Sequence, residues 1–302
     1  MENDLSLGAA WMNGTVIPIS QAKIPVMDWG LVHSDITYDV VPVIDGAFFR
    51  FDKYLARFLS SMENLHLDPG MNKRDIQAAL HQMVSKSSLR DSYVAMVCSR
   101  GKPKIAGSRD PRDCENHFFA WCVPYVHIIK PEIVEQGATA WIAQNAYRIP
   151  ENSVNPRVKN YHWGDFTQGI FEAKDKNYET VILLDYDGNV TEGPGFNVFA
   201  VKDKVLITPD KGVLAGVSRK TVLEMAEHLG INTSVRSLSV EELLEADEVF
   251  LSSSGGGVIP IIRVNETIFG NGASGPISVQ LNETYWKWTT LEKYRDPIDY
   301  TL

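Results

Sequence analysis

The chain has 302 residues, of which 44% are hydrophobic, and its formal net charge is -9. This length lies between one large domain and two ordinary ones, and the apolar content is sufficient for a packed core. Net negative charge opposes phosphate backbones and anionic membranes, so we expect no nucleic-acid and no membrane partner. The acidic start, "MENDLSLGAA", has no basic segment ahead of an apolar one, which favours a cytoplasmic protein.

The three cysteines, Cys98, Cys114 and Cys122, are odd in number and lie at spacings that fit neither a disulfide framework nor a zinc site. Free cysteine is commonly buried as a small apolar side chain. We therefore expect reduced thiols in the core and no structural metal.

The first half of the chain begins with a predicted hairpin and two helices. Residues 36–51, "ITYDVVPVIDGAFFRF", predict the hairpin because β-branched residues flank an Asp-Gly pair typical of a two-residue turn. Apolar residues at helical spacing predict a helix over 52–67, with Asp52 as its N-cap, and a second helix over about 72–86.

Two predicted strands, 92–100 and 117–125, enclose a basic loop, "GKPKIAGSRDPRD", that is long enough to be functional. A stretch without strong periodicity follows. We therefore predict a small N-terminal α+β domain over 1–125, a linker over 126–137 and a larger mixed domain over 138–302.

The larger domain is expected to mix short strands with helices. Ser239 followed by Glu242 is a capping box, which predicts the start of the last helix. The helices are predicted at roughly 162–176, 218–229 and 239–247.

Three glycine-rich segments are candidates for binding an anion. "GVLAGVSRK" (212–220) loosens the backbone ahead of a helix, with Ser218 as a natural N-cap; an ordinary capped helix is the alternative. "EVFLSSSGGGVIPI" (248–261) runs from an apolar strand into three hydroxyls and three glycines, a composition that favours a backbone anion nest over a simple turn. "GNGASG" (270–275) matches a dinucleotide-binding pattern by letter, but too few residues follow to complete that fold.

Two charged residues that precede these segments in the chain are further candidates. Lys159, in "NPRVKNYHWGDF", follows an apolar approach, and Glu192, in "VTEGPGFNVF", begins what reads as a buried strand. Each by itself is an ordinary lysine or hairpin acid. Together, an amine, a carboxylate and an anion cup are what pyridoxal 5′-phosphate requires for its aldehyde, its ring nitrogen and its phosphate.

The set of motifs resembles the fold-type IV pyridoxal-phosphate enzymes over nearly the whole chain. It consists of Arg57 in "YLARF", Lys159 in "RVKNYHWGDF", Glu192 in "GNVTEGPGFNVF", and the segments "GVLAGVSRK" and "FLSSSGGGVIPI". These enzymes are the branched-chain and D-amino-acid aminotransferases, aminodeoxychorismate lyase and the (R)-selective amine transaminases. The resemblance implies a two-domain fold of mixed α/β class, similar to D-amino-acid aminotransferase, with the cofactor between the domains, and a homodimer.

The resemblance also implies roles for individual residues. Lys159 would form the Schiff base with pyridoxal 5′-phosphate and then move the proton between the substrate Cα and C4′. Glu192 would pair with the pyridine nitrogen, and Arg57 would clamp the phosphate. The remaining cofactor contacts would come from Leu214, Val217, Ser218 and Ser253.

Substrate selection is implied for a further set: His33, Tyr38, Val40, Tyr93, Ala95, Arg109 and Trp163. The sequence departs here from the fungal (R)-amine transaminases, which carry Phe-x-Glu where Tyr93-Val94-Ala95 align. Their carboxylate-binding loop arginine aligns with Ala106, so Arg109 or Lys104 would have to replace it. Tyr93 is also a branched-chain trait.

"HSDITYDVVPVIDGAFFRFDKYLARF" and "KNYHWGDF" most resemble the (R)-selective amine transaminases. We therefore expect a ping-pong transaminase that moves an amino group from a primary amine, (R)-configured, to a keto acid such as pyruvate. A branched-chain or D-amino-acid aminotransferase is the alternative, followed by aminodeoxychorismate lyase and a non-catalytic binding protein.

Overall fold

The structure, a computed structural model, describes residues 4–301. The strands in that range are β1 (Ala9–Met12), β2 (Thr15–Pro18), β3 (Ile36–Ile44), β4 (Ala47–Phe49), β5 (Ser92–Pro103), β6 (Cys114–Pro124), β7 (Ala138–Tyr147), β8 (Thr180–Leu184), β9 (Glu192–Gly193), β10 (Phe196–Lys202), β11 (Val205–Thr208), β12 (Thr233–Val235), β13 (Glu248–Ser253), β14 (Gly257–Val264), β15 (Thr267–Ile268) and β16 (Arg295–Pro297). The α-helices are α1 (Trp29–Val32), α2 (Phe51–Asn64), α3 (Lys73–Ser87), α4 (Pro131–Gln136), α5 (Gly164–Asp175), α6 (Val217–His228), α7 (Val240–Leu244) and α8 (Pro276–Trp288).

The chain divides into two compact units. The first runs through Val126 and also includes Val158–Tyr161 and the chain from Thr289 onward. The second consists of His127–Arg157 and His162–Trp288. The division into domains drawn from the sequence stays a prediction, and α4 lies within the stretch that was predicted to be a linker.

The first unit is an antiparallel sheet in the order β16-β4-β3-β5-β6-β1-β2. The predicted hairpin is confirmed as β3 and β4, because Asp45 and Gly46 both have positive φ, as a type I′ turn requires. The predicted helices are confirmed as α2 and α3, and α2 buries Leu55, Phe58 and Met62 along one face.

The predicted cap of α2 is wrong. Arg50, in the left-handed region with a φ of 54°, is the N-cap, and Asp52 lies in the first turn. A carboxylate in the first turn still complements the positive end of the helix dipole.

The second unit is a mixed sheet in the order β12-β11-β10-β13-β14-β7-β8, with β9 on β10 and β15 on β14. The pairs β11–β12, β14–β7 and β7–β8 are parallel. Its core contains Val198, Leu251 and Ile261, and α6 adds the fully buried Val222 and Met225. These sheets and helices confirm the expected mixed α/β class.

The predicted capping box of α7 is half confirmed. The Ser239 side chain accepts a hydrogen bond from the Glu242 N–H at 3.1 Å. The Glu242 carboxylate instead pairs with Arg236.

Cys98 and Cys122 are buried thiols and Cys114 is half-buried. Burial raises the pKa of the Cys98 thiol to about 12, so it stays protonated. Within residues 4–301, no helix has the length and apolar character needed to cross a bilayer.

Candidate active site

In the first unit, the segment around Lys159 lies along the edge of β3 that β4 leaves open, since β4 pairs only with the last two residues of β3. The Lys159 carbonyl accepts a 2.6 Å hydrogen bond from Thr37 Oγ1 and a 3.4 Å bond from the Tyr38 N–H. The Lys159 N–H donates to Ser61 Oγ on α2 at 3.3 Å. The backbone of the predicted catalytic lysine is thus fixed on both sides.

The Lys159 side chain lies over an aromatic ring. Its Nζ is 4.4 Å from the centroid of Tyr38, which stacks in turn on Tyr161 with centroids 4.1 Å apart and planes 7° apart. A ring face attracts an ammonium group. Burial, together with the nearby Tyr38, raises the pKa of the Tyr161 phenol, so this ring of the stack remains neutral.

Arg57, the predicted phosphate ligand, lies on α2 and reaches β3. Its Nε and Nη2 donate to the two carboxylate oxygens of Asp39 at 2.7 and 2.6 Å. Burial lowers the pKa of Arg57, but the attraction of Asp39 outweighs this and the net shift is upward. The guanidinium therefore stays charged.

Four of the predicted substrate residues share one region of the sheet. Val40 on β3 pairs directly with Ala95 on β5, Tyr38 lies two residues before Val40, and Tyr93 pairs with Pro42. Because alternate residues of a strand face the same side, these side chains form one apolar and phenolic face.

The structure places two other predicted substrate residues elsewhere in this unit. His33 is the exposed C-cap of α1, ahead of the β3–β4 hairpin, with its ring edge-on to Trp29 and the ring centroids 4.5 Å apart. Arg109 is exposed in the loop between β5 and β6, and Lys104 in the same loop is 3.7 Å from Glu115.

In the second unit, Glu192 begins a tight hairpin. Pro194 and Gly195 form the turn between β9 and β10, and the φ of 85° at Gly195 suits the left-handed position of such a turn. Glu192 pairs with Asn197 across the hairpin and is 4% exposed. A carboxylate this deeply buried requires partners.

Arg148, which no sequence motif indicated, supplies the main partner. Its Nε donates to Glu192 Oε1 at 3.1 Å and its Nη1 to Asp165 Oδ2 at 2.6 Å, and its guanidinium lies 4.3 Å from the Phe166 ring centroid. The other oxygen, Glu192 Oε2, accepts from the Leu214 N–H at 2.8 Å. A buried acid in an apolar stretch is the signal that could have prompted a search for a basic residue at a neighbouring strand end.

The predicted anion cup on α6 has a different cap from the one expected. Gly216, not Ser218, is the N-cap, so Val217 and Ser218 are the first two residues of the helix. Both are buried. A Cβ at Gly216 would lie 2.1 Å from Asn197 Oδ1, so only glycine allows this helix start to approach the Glu192 hairpin.

Ser253 ends β13 beside that same hairpin. Its hydroxyl donates to the Gly195 carbonyl at 2.8 Å and accepts from the Gly255 N–H at 3.1 Å. Trp163, predicted to contact substrate, is the N-cap of α5, and its ring packs edge-on against Phe166 at 5.4 Å. In the second unit, Glu192, the start of α6 at Gly216 and the turn at residues 253–255 thus lie around β9 and β10.

Comparison with known proteins bears on this arrangement. The family model for class IV aminotransferases, "Amino-transferase class IV", matches residues 37–264. A putative branched-chain-amino-acid aminotransferase of Methanocaldococcus jannaschii is 28% identical over 278 residues, which are 91% of this chain and 94% of that protein. A D-alanine aminotransferase of Bacillus licheniformis is 28% identical over 273 residues, covering 88% of this chain and 92% of that protein.

The fold is similar to that of solved enzymes. The crystal structure of the branched-chain amino acid aminotransferase from Thermobaculum terrenum, in its pyridoxal-phosphate form, superposes with a TM-score of 0.85 at 24% identity. The match covers 99% of this chain and 100% of that chain.

Proposed function

Since the chain belongs to the class IV aminotransferase family and is a pyridoxal-phosphate-dependent aminotransferase, we propose that it moves an amino group from an (R)-configured primary amine to a keto acid such as pyruvate. The observation that carries this proposal is the apolar and phenolic face formed by Tyr38, Val40, Tyr93 and Ala95. Such a face suits an aryl or alkyl substituent better than a charged one.

The buried acid Glu192, the amine of Lys159 and the helix start at Val217 fit pyridoxal 5′-phosphate. When bound, this cofactor supplies a ring that accepts electrons from the substrate. We assign Glu192 to the ring nitrogen, because its carboxylate is buried and is held in place by Arg148 and by the Leu214 N–H. We assign the phosphate to Arg57, to Val217 and Ser218 at the start of α6, and to Ser253, which would hold it when the cofactor is bound. Leu214 would contact the ring.

Lys159 carries the covalent attachment and moves the substrate proton. Its backbone is fixed by Thr37 and Ser61, whereas its Nζ contacts the ring face of Tyr38. A fixed backbone suits a residue whose side chain must serve first as an attachment point and then as a base, because both roles need Nζ near the same atoms.

An amino-acid aminotransferase is the second candidate. The relatives named above are branched-chain and D-alanine aminotransferases, and the sequence resemblance implies that Tyr93 is also a branched-chain trait. A substrate carboxylate would then be bound through Arg109 or Lys104 of the β5–β6 loop.

Half-reactions separate the two candidates. The holoenzyme is mixed with (R)-1-phenylethylamine, D-alanine or L-leucine, and conversion of the pyridoxal form to the pyridoxamine form is followed by absorbance. We expect the fastest conversion with (R)-1-phenylethylamine, with (S)-1-phenylethylamine as the matched control. Conversion by L-leucine or D-alanine alone would overturn the amine assignment in favour of the second candidate.

Borohydride reduction of the holoenzyme followed by peptide mapping tests the assignment of the lysine. We expect the label on Lys159 and none in Lys159→Ala. A label on another lysine would contradict the assignment.

We further propose that the enzyme is a homodimer. The first unit exposes a run of apolar side chains just before and within α1: Ile24, Val26, Met27, Leu31 and Val32. Several exposed apolar side chains within nine positions of the chain favour a protein interface. Sedimentation should give a dimer for the wild type and a lighter species for Val26→Lys with Met27→Lys; a monomeric wild type would refute the proposal.

A further inference from the structure

Asp39 is a fully buried carboxylate in the middle of β3. It lies between Tyr38 and Val40 in sequence, so its side chain faces away from the substrate face that they share. An acid in this position is unfavourable unless it is paired and hydrogen-bonded. It therefore needs a specific partner.

Arg57 is that partner, through a two-point contact. Its Nε donates to Oδ2 of Asp39 at 2.7 Å and its Nη2 to Oδ1 at 2.6 Å, and Oδ1 also accepts from the Val40 N–H at 2.7 Å. The third bond fixes the carboxylate to its own strand. The paired bonds then fix the plane of the guanidinium relative to that strand.

A second contact limits the rotation of the guanidinium. The Arg57 Cζ lies 5.5 Å from the ring centroid of Tyr54, which is itself 1% exposed. An arginine side chain is long and loses much rotamer freedom when it binds a ligand. In this chain a carboxylate and a ring have already restricted Arg57.

We propose that Asp39 is a positioning residue that holds the Arg57 guanidinium in the orientation in which it binds the cofactor phosphate. The proposal rests on the phosphate-binding role proposed for Arg57. Asp39 takes the Nε–Nη2 edge of the planar fork, so the Nη1 side is directed away from the carboxylate. A guanidinium oriented before the ligand arrives loses less freedom on binding, which strengthens the contact with phosphate.

The alternative is an ion pair that only stabilises the core. The two roles differ in one measurable respect: positioning acts on the phosphate of the ligand, whereas core stabilisation acts on every ligand or on none. Pyridoxal, which lacks the phosphate, is therefore the probe to compare with pyridoxal 5′-phosphate.

The test measures the affinity of both probes for the apo forms of the wild type, Asp39→Asn and Arg57→Gln by equilibrium titration. We expect Asp39→Asn to weaken pyridoxal phosphate binding by about 5–30-fold, the factor that corresponds to one or two kcal/mol. Pyridoxal binding should stay within about twofold of the wild type, because it has no phosphate for Arg57 to bind. In an Arg57→Gln background, Asp39→Asn should have no further effect on the affinity for pyridoxal phosphate.

A matched control is available in the same unit. Asp35 also makes a two-point pair, with Arg100 Nε at 2.8 Å and Nη2 at 3.1 Å, and neither residue is assigned to the cofactor. The quantity to compare is the affinity for pyridoxal 5′-phosphate divided by the affinity for pyridoxal, called the affinity ratio. Asp35→Asn should leave the affinity ratio unchanged even where it lowers the stability of the protein. If Asp39→Asn does not fold, Asp39→Glu can replace it, because this variant keeps the charge but displaces the carboxylate, and with it the Arg57 guanidinium, by one methylene. Asp39→Glu should lower the affinity ratio.

The outcomes separate the two proposals. If Arg57→Gln leaves the ratio unchanged, the phosphate role of Arg57 is refuted. If Arg57→Gln lowers the ratio but Asp39→Asn leaves it unchanged or raises it, positioning by Asp39 is refuted while the role of Arg57 stands.

Discussion

The two units hold their candidate functional residues by different physical means. In the first, Lys159 is fixed through backbone hydrogen bonds, and its Nζ contacts the ring face of Tyr38. In the second, Glu192 is fixed through its own carboxylate by Arg148 and Leu214. A cation–π contact contributes about 0.5–2 kcal/mol, whereas breaking a buried ion pair costs about 3–5 kcal/mol.

This difference matches the work proposed for each side chain. An amine that must form and release a bond benefits from a weak contact that it can leave. An acid that must keep a ring nitrogen protonated benefits from partners that do not move. Substitutions in the second unit should therefore have larger effects than those in the first.

The largest effect is expected for Arg148→Met. Glu192 and Asp165 would both lose their buried cation, so we expect the free energy of unfolding to fall by about 3–5 kcal/mol in urea titration. The control is Arg236→Met, which breaks the more exposed pair with Glu242 and should cost about 1 kcal/mol or less. A loss of similar size in both variants would remove the contrast between the two units.

An intermediate effect is expected for Gly216→Ala. The new Cβ would lie 2.1 Å from Asn197 Oδ1 and 3.2 Å from the Arg219 Cβ, so Asn197 must move. We expect a loss of about 1–3 kcal/mol, as in other overpacked sites, together with weaker pyridoxal phosphate binding.

The matched control for Gly216→Ala is Gly164→Ala. Gly164 also lies at a helix start, but a Cβ there would meet nothing within 4 Å. Thermal and urea unfolding of this variant should match or slightly exceed the wild type. Equal losses at both positions would point to backbone freedom rather than to crowding.

The smallest effect concerns the aromatic stack of the first unit. Burial raises the pKa of Tyr161 in the folded protein, whereas an unfolded tyrosine has a pKa of about 10. Above that pH the unfolded chain loses the Tyr161 proton and the folded chain keeps it. The free energy of unfolding should then fall by up to about 1.4 kcal/mol per pH unit from this group.

Tyr161→Phe removes that contribution. Between about pH 10 and 11 the free energy of unfolding of the variant should fall less steeply than that of the wild type. The two slopes should differ by up to about 1.4 kcal/mol per pH unit. Below about pH 9 the two proteins should differ by a constant, because both states keep the proton there. Parallel curves at all pH values would show that Tyr161 titrates alike in the folded and unfolded states.

Local patterns in the sequence predicted local structure well. The Asp45-Gly46 pair specified its turn, and the apolar spacing of α2 and α3 specified their buried faces. Helix caps were less predictable, because Arg50 and Gly216 cap through backbone conformation without a side-chain bond. A preference for Asp or Ser as cap carries no information about such a start.

The partners of the site residues could not be predicted in the same way. Arg148 and Glu192 are separated by 44 positions, and Thr37 and Lys159 by 122. Pairs at such distances are created by sheet order and by the segment on the edge of β3, and neither leaves a periodic signal. Roles taken from resemblance named the acid and the lysine, but not the groups that hold them.

The alternation of β3 has a consequence for engineering. Thr37 and Asp39 face one way and contact the Lys159 carbonyl and the Arg57 guanidinium. Tyr38, whose ring contacts Lys159 Nζ, and Val40 face the other way. Diversifying Val40 and its cross-strand neighbour Ala95 should therefore retune the donor range without loss of holoenzyme. Deleting one residue from β3 would exchange the two sets of side chains between the faces of the sheet. We therefore expect β3 to tolerate no change of length, although it should tolerate substitution on the face of Val40.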